Sequence, residues 1–177
     1  MTRSRPPLIG VGGSYRGVGK TTFAELILQT LHAWGAIKYT PVPLYSSIVE
    51  DIGILSQEGK DTKRFLDAGA EKVLWIQSPR GDLDALLSIA ITRLSGLQGI
   101  IIEGNSAIMC AKPECVIFVC GDEITQYKKS AQAILSLADV IIFDTFIPPD
   151  TPAQAKKFKK EDIAAFLDCI SEVTGNI

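Results

Sequence analysis

Long hydrophobic runs are absent from this sequence of 177 residues. A membrane-spanning helix needs about 18 or more apolar residues in succession, so we expect that this chain does not span a membrane. The first seven residues contain two arginines but no apolar stretch, so we expect no secretory signal either. Positive charge is not in excess, because 18 Lys and Arg residues stand against 20 Asp and Glu. This balance argues against a general nucleic-acid-binding surface.

Cysteine and histidine are also scarce. Four cysteines in a chain of this length do not indicate a disulfide scaffold, so we expect reduced thiols in a cytoplasmic protein. Cys110, Cys115 and Cys120 are separated by four residues each, at the edge of the spacing that zinc sites use. Cys120 ends an apolar run, which favours packing as a small hydrophobic residue. His32, the single histidine, is expected on the surface of the first helix.

Short apolar runs alternate with helical patterns along the whole chain. The runs lack polar–apolar alternation, which is typical of strands buried on both faces in a parallel sheet. We predict one domain over residues 1–177 with an α/β fold, a mostly parallel open sheet and helices on both faces. A capping box at residues 151–154 predicts a helix start, and the basic run 156–160 is expected on a solvated helix face. The predicted strands are residues 8–12, 36–39, 73–76, 100–102, 116–119 and 140–143, and the main predicted helices are 21–34, 83–94, 130–137 and the stretch from 163 onward.

A glycine-rich loop between the first strand and the first helix carries the chemistry. Its glycines let backbone N–H groups turn towards a phosphate chain, and the helix N-terminus adds donors and a positive dipole end. Lys20 would neutralise the β- and γ-phosphates, and the Thr21 hydroxyl would bind Mg²⁺. Ser14 stands where the standard P-loop motif has its first glycine, so counting from Gly13 the loop is one residue longer. The loop residues predicted to bind the nucleotide are Gly13, Ser14, Tyr15, Arg16, Gly17, Val18, Gly19, Lys20, Thr21 and Thr22.

Carboxylates elsewhere in the sequence are candidates for the metal. Glu103 ends a predicted strand, and ligands in open α/β sheets gather at the carboxyl ends of strands. We expect Glu103 to hold Mg²⁺ directly or through water, and to form the catalytic set with Lys20 and Thr21. Asp51 and Asp61 lie in or after a segment without clear periodicity, where nucleotide switches are ordered by the γ-phosphate. For Asp61 a helix N-cap is favoured.

Four segments together resemble a known family. They are Gly19-Lys20-Thr21-Thr22, the strand 37–39, the block 59–64 with 68–70, and Ile102-Glu103-Gly104. This pattern is similar to the P-loop proteins of molybdopterin-guanine dinucleotide biosynthesis, adapter type B, over roughly residues 8–120. The resemblance implies GTP binding with Mg²⁺, weak GTP hydrolysis, a homodimer, and a partner in molybdenum cofactor assembly, the guanylyltransferase.

Departures from that family leave the nucleotide open between GTP and ATP. The histidine-rich sequence expected after the second strand is missing, and so is an Asn-Lys-x-Asp string that would read guanine. Asp144 and Asp150, after the last predicted strand, are candidates for accepting hydrogen bonds from a guanine base.

Two further resemblances stand as alternatives. Dethiobiotin synthetase, an ATP-dependent carboxylase and ligase, also has the longer loop, a lysine at the place of Lys38 and a Glu-Gly after a later strand. The other family is the partner-regulated ATPases with a Lys-Gly-Gly-x-Gly-Lys-Thr loop. Their signature lysine corresponds to Tyr15 in this sequence, and Arg16, one position later, is a candidate substitute cation. No residue in the sequence is an obvious base for water, so we expect slow hydrolysis without a partner.

Overall fold

A computed structural model of the chain describes residues 5–122 and 127–176. Strands and helices alternate along it. The strands are β1 (Leu8–Gly13), β2 (Trp34–Pro41), β3 (Ser47–Val49), β4 (Lys72–Ser78), β5 (Gly99–Glu103), β6 (Cys115–Val119), β7 (Val140–Phe143) and β8 (Lys156–Lys159). The helices are α1 (Lys20–Thr30), α2 (Ile52–Leu55), α3 (Asp61–Asp67), α4 (Leu83–Arg93), α5 (Asn105–Ala111), α6 (Lys129–Ser136) and α7 (Ile163–Asn176).

Within the described residues all eight strands form one sheet, in the order β3-β4-β2-β5-β1-β6-β7-β8. Every neighbouring pair is parallel except β3 and β4, which are antiparallel. The predicted α/β fold with a mostly parallel sheet is therefore confirmed. Because β1 lies near the middle of the sheet, the loop that follows it opens at the centre of the carboxyl edge.

Two hydrophobic clusters cover the two faces of the sheet. One joins β1 to α1 and α7, where the rings of Phe23 and Phe166 meet edge to face with centroids 5.4 Å apart. The other joins the opposite face to α4, α5 and α6, around Leu87, Ile108 and Ile134. Burial of both faces explains why the strand sequences are continuously apolar. No helix in the described parts of the chain combines the length and the apolar character needed to cross a membrane.

The first helix ends earlier than the sequence pattern predicted. α1 stops at Thr30, and Ala33 takes a positive φ of 57° before β2 begins at Trp34. Trp34 is buried and occupies the space that a side chain at position 99 would need, since a Cβ on Gly99 would lie 2.4 Å from the indole. Packing of the indole in the sheet therefore outweighs its helical spacing, and the exposed His32 lies in the turn instead of in the helix.

The capping box predicted at 151–154 does not start a helix. The segment forms turns, in which the Thr151 N–H donates to the Pro148 carbonyl and the Ala155 N–H donates to the Pro152 carbonyl, each at 3.1 Å. The basic run that follows is an edge strand, β8, and not a helix face. Lysines on an edge strand discourage pairing with another sheet, which explains why a basic run occurs in this strand. The last helix, α7, is where its periodicity predicted it.

Candidate functional site

The glycine-rich loop connects the end of β1 to the start of α1. Gly17 and Gly19 have φ values of +87° and +107°, in the left-handed region that glycine adopts at little cost. A Cβ added at either position would meet no atom within 4 Å, so the backbone conformation and not the space requires glycine there. Val18 between them is buried and ties the loop to the core. The sequence thus folds into a turn that brings successive backbone groups around the N-terminus of α1.

Side chains outside the loop fix its first residues. The Gly13 N–H donates to Asn105 Oδ1 at 3.0 Å, and Asn105 Nδ2 donates back to the Gly13 carbonyl at 2.9 Å. The Ser14 N–H donates to the Val119 carbonyl at 3.1 Å, and the Gly121 N–H donates to Ser14 Oγ at 2.9 Å. The serine that replaces the motif's glycine therefore anchors the loop to the end of β6. Asn105 was missed by sequence reasoning, although it directly follows Glu103-Gly104.

Lys20, the first residue of α1, points back across the loop. Its Nζ donates to the Tyr15 carbonyl at 2.6 Å, and burial lowers the pKa of Lys20 below its ordinary value. Tyr15 and Arg16 are exposed at the loop tip. The exposed Thr22 accepts a hydrogen bond at 3.1 Å from Arg64. Of the predicted loop residues, all except the buried Val18 line one cleft.

Thr21 and Glu103 lie together, although 82 residues separate them in the chain. The Thr21 hydroxyl donates to Glu103 Oε2 at 3.1 Å, and both side chains are buried, with Glu103 only 2% exposed. Hydroxyl and carboxylate oxygens are ligands that Mg²⁺ accepts, and P-loop sites complete the shell with phosphate oxygens and water. The two residues predicted to hold the metal thus form a suitable oxygen pair.

Lys38 bridges the two acidic side chains of the site. Its Nζ is 2.6 Å from Glu103 Oε1 and 2.6 Å from Asp61 Oδ2. Burial raises the pKa of Asp61, but the hydrogen bond and charge of Lys38, with further help from Thr21, outweigh it and leave the pKa below the ordinary value. We define Lys38, Asp61 and Glu103 as the bridged cluster. Lys38 belongs to segments that carry both family resemblances, but sequence reasoning assigned it no contact with Asp61 or Glu103.

The remaining aspartates do not take the places expected of them. Asp61 is the first residue of α3 and not its N-cap, which is Lys60. Asp51 caps α2, where it accepts from the Ile54 N–H at 3.0 Å. Asp144 is exposed, 4.0 Å from Lys160. Neither Asp144 nor Asp150 is among the described residues that line the cleft.

None of the four cysteines is among the described residues that line the cleft. Cys115 begins β6 and Cys120 follows its end; both are buried, and burial raises the pKa of each thiol to about 12. A thiolate is the form that binds zinc, so this environment disfavours the zinc alternative at neutral pH. The four cysteines are free thiols.

A cleft of about 840 Å³ runs along the carboxyl edge of the sheet. It is lined by the loop, by the bridged cluster, by Trp75 on β4, by Arg80 after that strand, and by Lys128 before α6. This volume is near the top of the range of about 300–1,000 Å³ for small-molecule sites. Among the described lining residues, seven are basic and two are acidic, in a protein of net charge −2. Such a concentration of positive charge suits a polyanionic ligand.

Comparison with known proteins shows the fold of the chain. No protein-family model matches the sequence, and no curated protein matches it. Among solved structures, HypB from Helicobacter pylori in complex with nickel aligns with a TM-score of 0.57 at 16% identity, covering 97% of this chain and 88% of that one. A ParA family ATPase from Chlorobium tepidum TLS (TM-score 0.40, 11% identity, coverage 97% and 89%) and a nucleotide-binding protein from Archaeoglobus fulgidus in complex with ADP (0.42, 13%, 97% and 88%) align less well.

The alignment with HypB confirms part of what the sequence predicted. The chain shares the α/β fold of that structure, as expected. The resemblances to the molybdopterin-guanine dinucleotide adapters and to dethiobiotin synthetase find no support in the comparisons and stay predictions.

Proposed function

We propose that this protein binds a nucleoside triphosphate with Mg²⁺, and that it is a GTP-binding adapter with weak GTPase activity in molybdenum cofactor assembly. The nucleotide part rests on one observation: a loop with two left-handed glycines places Lys20 and the Thr21–Glu103 pair at the start of α1. The GTP and molybdenum parts rest on the sequence resemblance.

Each site residue has a defined task in this proposal. Backbone N–H groups of the loop bind phosphate oxygens, and the Lys20 ammonium leaves the Tyr15 carbonyl to balance the charge of the β- and γ-phosphates. Thr21 and Glu103 would hold Mg²⁺, which when bound supplies positive charge at those same phosphates. Asn105 and Ser14 keep the loop in place through their bonds to Gly13 and Gly121.

Hydrolysis should be slow because the described cleft offers no free carboxylate. Its two acidic side chains, Asp61 and Glu103, both bond the Lys38 ammonium, and a carboxylate paired in this way is a poor proton acceptor. A partner that supplies a base or a cation would accelerate the reaction, as cations added in trans do in other P-loop proteins. A homodimer or the guanylyltransferase partner is the proposed source.

The second candidate is an ATP-dependent carboxylase and ligase of the dethiobiotin synthetase type. The position of Lys38 favours it, because this lysine lies in the nucleotide cleft between two carboxylates. An enzyme of that class needs a small second substrate and turns over ATP only in its presence.

Calorimetric titration with GTP, ATP and their non-hydrolysable analogues, with and without Mg²⁺, tests both candidates. Micromolar binding of GTP without binding of ATP would support the adapter and reject the ligase. Lys20→Ala should abolish triphosphate affinity, because preorganised cations act strongly in a water-poor site. Lys63→Ala is the matched control, since Lys63 pairs with Asp67 on α3 and is not among the described residues that line the cleft. Unchanged binding by Lys20→Ala would reject the site.

A further inference from the structure

The cleft continues past the nucleotide loop into a second region. We define the β4 lobe as Thr40 and Pro41 at the end of β2, Lys60 before α3, Trp75 on β4 and Arg80 in the turn after it, all of which line the cleft. In the sheet order, β2 and β5 lie between β4 and β1. The bridged cluster, carried by β2, β5 and α3, therefore stands between this lobe and the loop.

The aromatic ring at the centre of the β4 lobe is held in a fixed orientation. Trp75 Nε1 donates to Thr40 Oγ1 at 3.0 Å, which satisfies the polar end of the indole. The ring is half-buried, and Lys60 Nζ lies 4.8 Å from its centroid. The same ammonium donates to the Ile54 carbonyl at 3.1 Å. The indole thus has a fixed edge and carries the Lys60 ammonium over its ring in a cation–π contact.

The cations of the β4 lobe lack acidic partners. In the described chain no ion pair involves Lys60 or Arg80. The other basic residues at this end of the cleft are compensated: Lys38 by two carboxylates and Arg64 by Glu25. Two cations without acidic partners, Lys60 over the Trp75 ring and Arg80 in the lining of the same cleft, therefore remain after the phosphate loop and the bridged cluster are accounted for.

We propose that the β4 lobe binds a second ligand next to the nucleotide, a small organic anion with a carboxylate or phosphate ester. Lys60 and Arg80 receive the oxyanion, and arginine can do so with two parallel hydrogen bonds. The proposal extends the proposed function, because it places this ligand beside a bound triphosphate.

Titration of phenyl phosphate and benzoate tests the lobe, with the protein first saturated with Mg²⁺ and a non-hydrolysable triphosphate. Tryptophan fluorescence and calorimetry follow binding, and Trp75→Phe identifies which indole reports. We expect saturation at millimolar concentration or below, by one or both anions, and no response to phenol as the uncharged control. Saturation by only one anion identifies the favoured oxyanion.

Charge variants decide where the anion binds. Arg80→Ala and Lys60→Ala should each raise the Kd at least tenfold. Arg93→Ala, which removes an exposed arginine paired with Glu50, should change it less than twofold. The proposal would be wrong if neither anion showed saturable binding, or if Arg93→Ala weakened anion binding as much as Arg80→Ala and Lys60→Ala do.

A nucleotide-free titration of Lys20→Ala separates this proposal from the proposed function. Retained phenyl phosphate binding in that variant supports the lobe, and loss of that binding would assign the anion to the loop and overturn it. If Lys20→Ala left triphosphate binding unchanged, the proposed function would be wrong. The proposal for the β4 lobe would stand, because the anion titration measures binding to the lobe independently.

Discussion

The Lys20 ammonium is withdrawn from water, and its hydrogen bond goes to a neutral acceptor, the Tyr15 carbonyl. Burial lowers its pKa, so the folded state without nucleotide disfavours the charge that triphosphate binding requires. We predict that Lys20→Met stabilises the nucleotide-free protein by about 1 kcal/mol, a typical gain where a functional site is strained. The same variant should lose triphosphate binding.

The sign of the pH dependence follows from the lowered pKa. Below the pKa of Lys20 in the folded state, Lys20 is charged in both the folded and the unfolded protein, and the full cost of burying the charge destabilises the fold. This cost decreases as the pH rises towards 10.5, the ordinary pKa of lysine. The stability gain of Lys20→Met, measured by urea denaturation, should therefore shrink as the pH approaches 10.5. Lys63→Met, which removes a half-buried lysine bonded to Asp67, is the control and should give no gain. A Lys20→Met protein less stable than the parent contradicts the argument.

The pair Lys38 and Glu103 gives a second prediction about single residues. Glu103 is almost fully buried, and removing one partner of a buried ion pair leaves the other charge uncompensated, at a cost of about 3 kcal/mol or more. Asp61 remains beside Lys38, so we place the cost of Glu103→Gln near the lower end, at about 3 kcal/mol.

A double-mutant cycle measures the pair directly. Lys38→Met with Glu103→Gln should be less destabilised than the sum of the single variants, with a coupling of about 1–3 kcal/mol in urea denaturation. Strictly additive losses would show that the two side chains do not act as a pair in solution. The same Glu103→Gln variant should bind triphosphate with a weaker dependence on Mg²⁺.

At the scale of elements, the turn between β1 and α1 requires glycine at positions 17 and 19 because of backbone conformation and not because of space. A side chain at position 19 would find open space but would have to adopt φ near +107°. We predict that Gly19→Ala lowers the free energy of unfolding by about 1–3 kcal/mol, the usual cost of a strained backbone conformation. It should also weaken triphosphate binding, because the loop carries the amides.

Gly96 provides the matched control for this turn. A Cβ there also meets open space, and its φ is outside the positive range of the strained glycines. Gly96→Ala should be neutral or stabilising by up to about 1 kcal/mol, through reduced freedom of the unfolded chain. Equal stability of the two variants in thermal and urea denaturation would show that the loop conformation is not strained.

Elements with a strong local signal were predicted well from sequence. Continuously apolar strands identified the buried sheet, and the glycine string identified the turn before α1. The start of β2 and strand β8 were missed because their conformations depend on partners: Trp34 packs beside Gly99, and β8 pairs with β7. Local periodicity carries no information on either contact.

At the scale of the whole molecule, sheet order assembles the site. β2, β5 and β1 are neighbours in the sheet although they are far apart in the sequence, so Lys38, Glu103 and the loop meet at one edge. Sequence reasoning placed Glu103 at a strand end but could not supply the strand order. For that reason the bridge from Lys38 to Asp61 and the clamp from Asn105 to Gly13 became visible only in the structure.

Coupling between this site and global stability gives the last prediction. A ligand at about 100 times its Kd stabilises the folded state by about 2.7 kcal/mol. For a domain of this size each kcal/mol moves Tm by about 2–4 °C, so saturating triphosphate with Mg²⁺ should raise Tm by about 5–10 °C. Differential scanning calorimetry measures the shift, with Lys63→Met responding like the parent. Lys20→Met should start from a higher Tm and show no shift, because it lacks both the desolvated charge and the phosphate contact. A full shift in Lys20→Met would place the nucleotide elsewhere than at the loop.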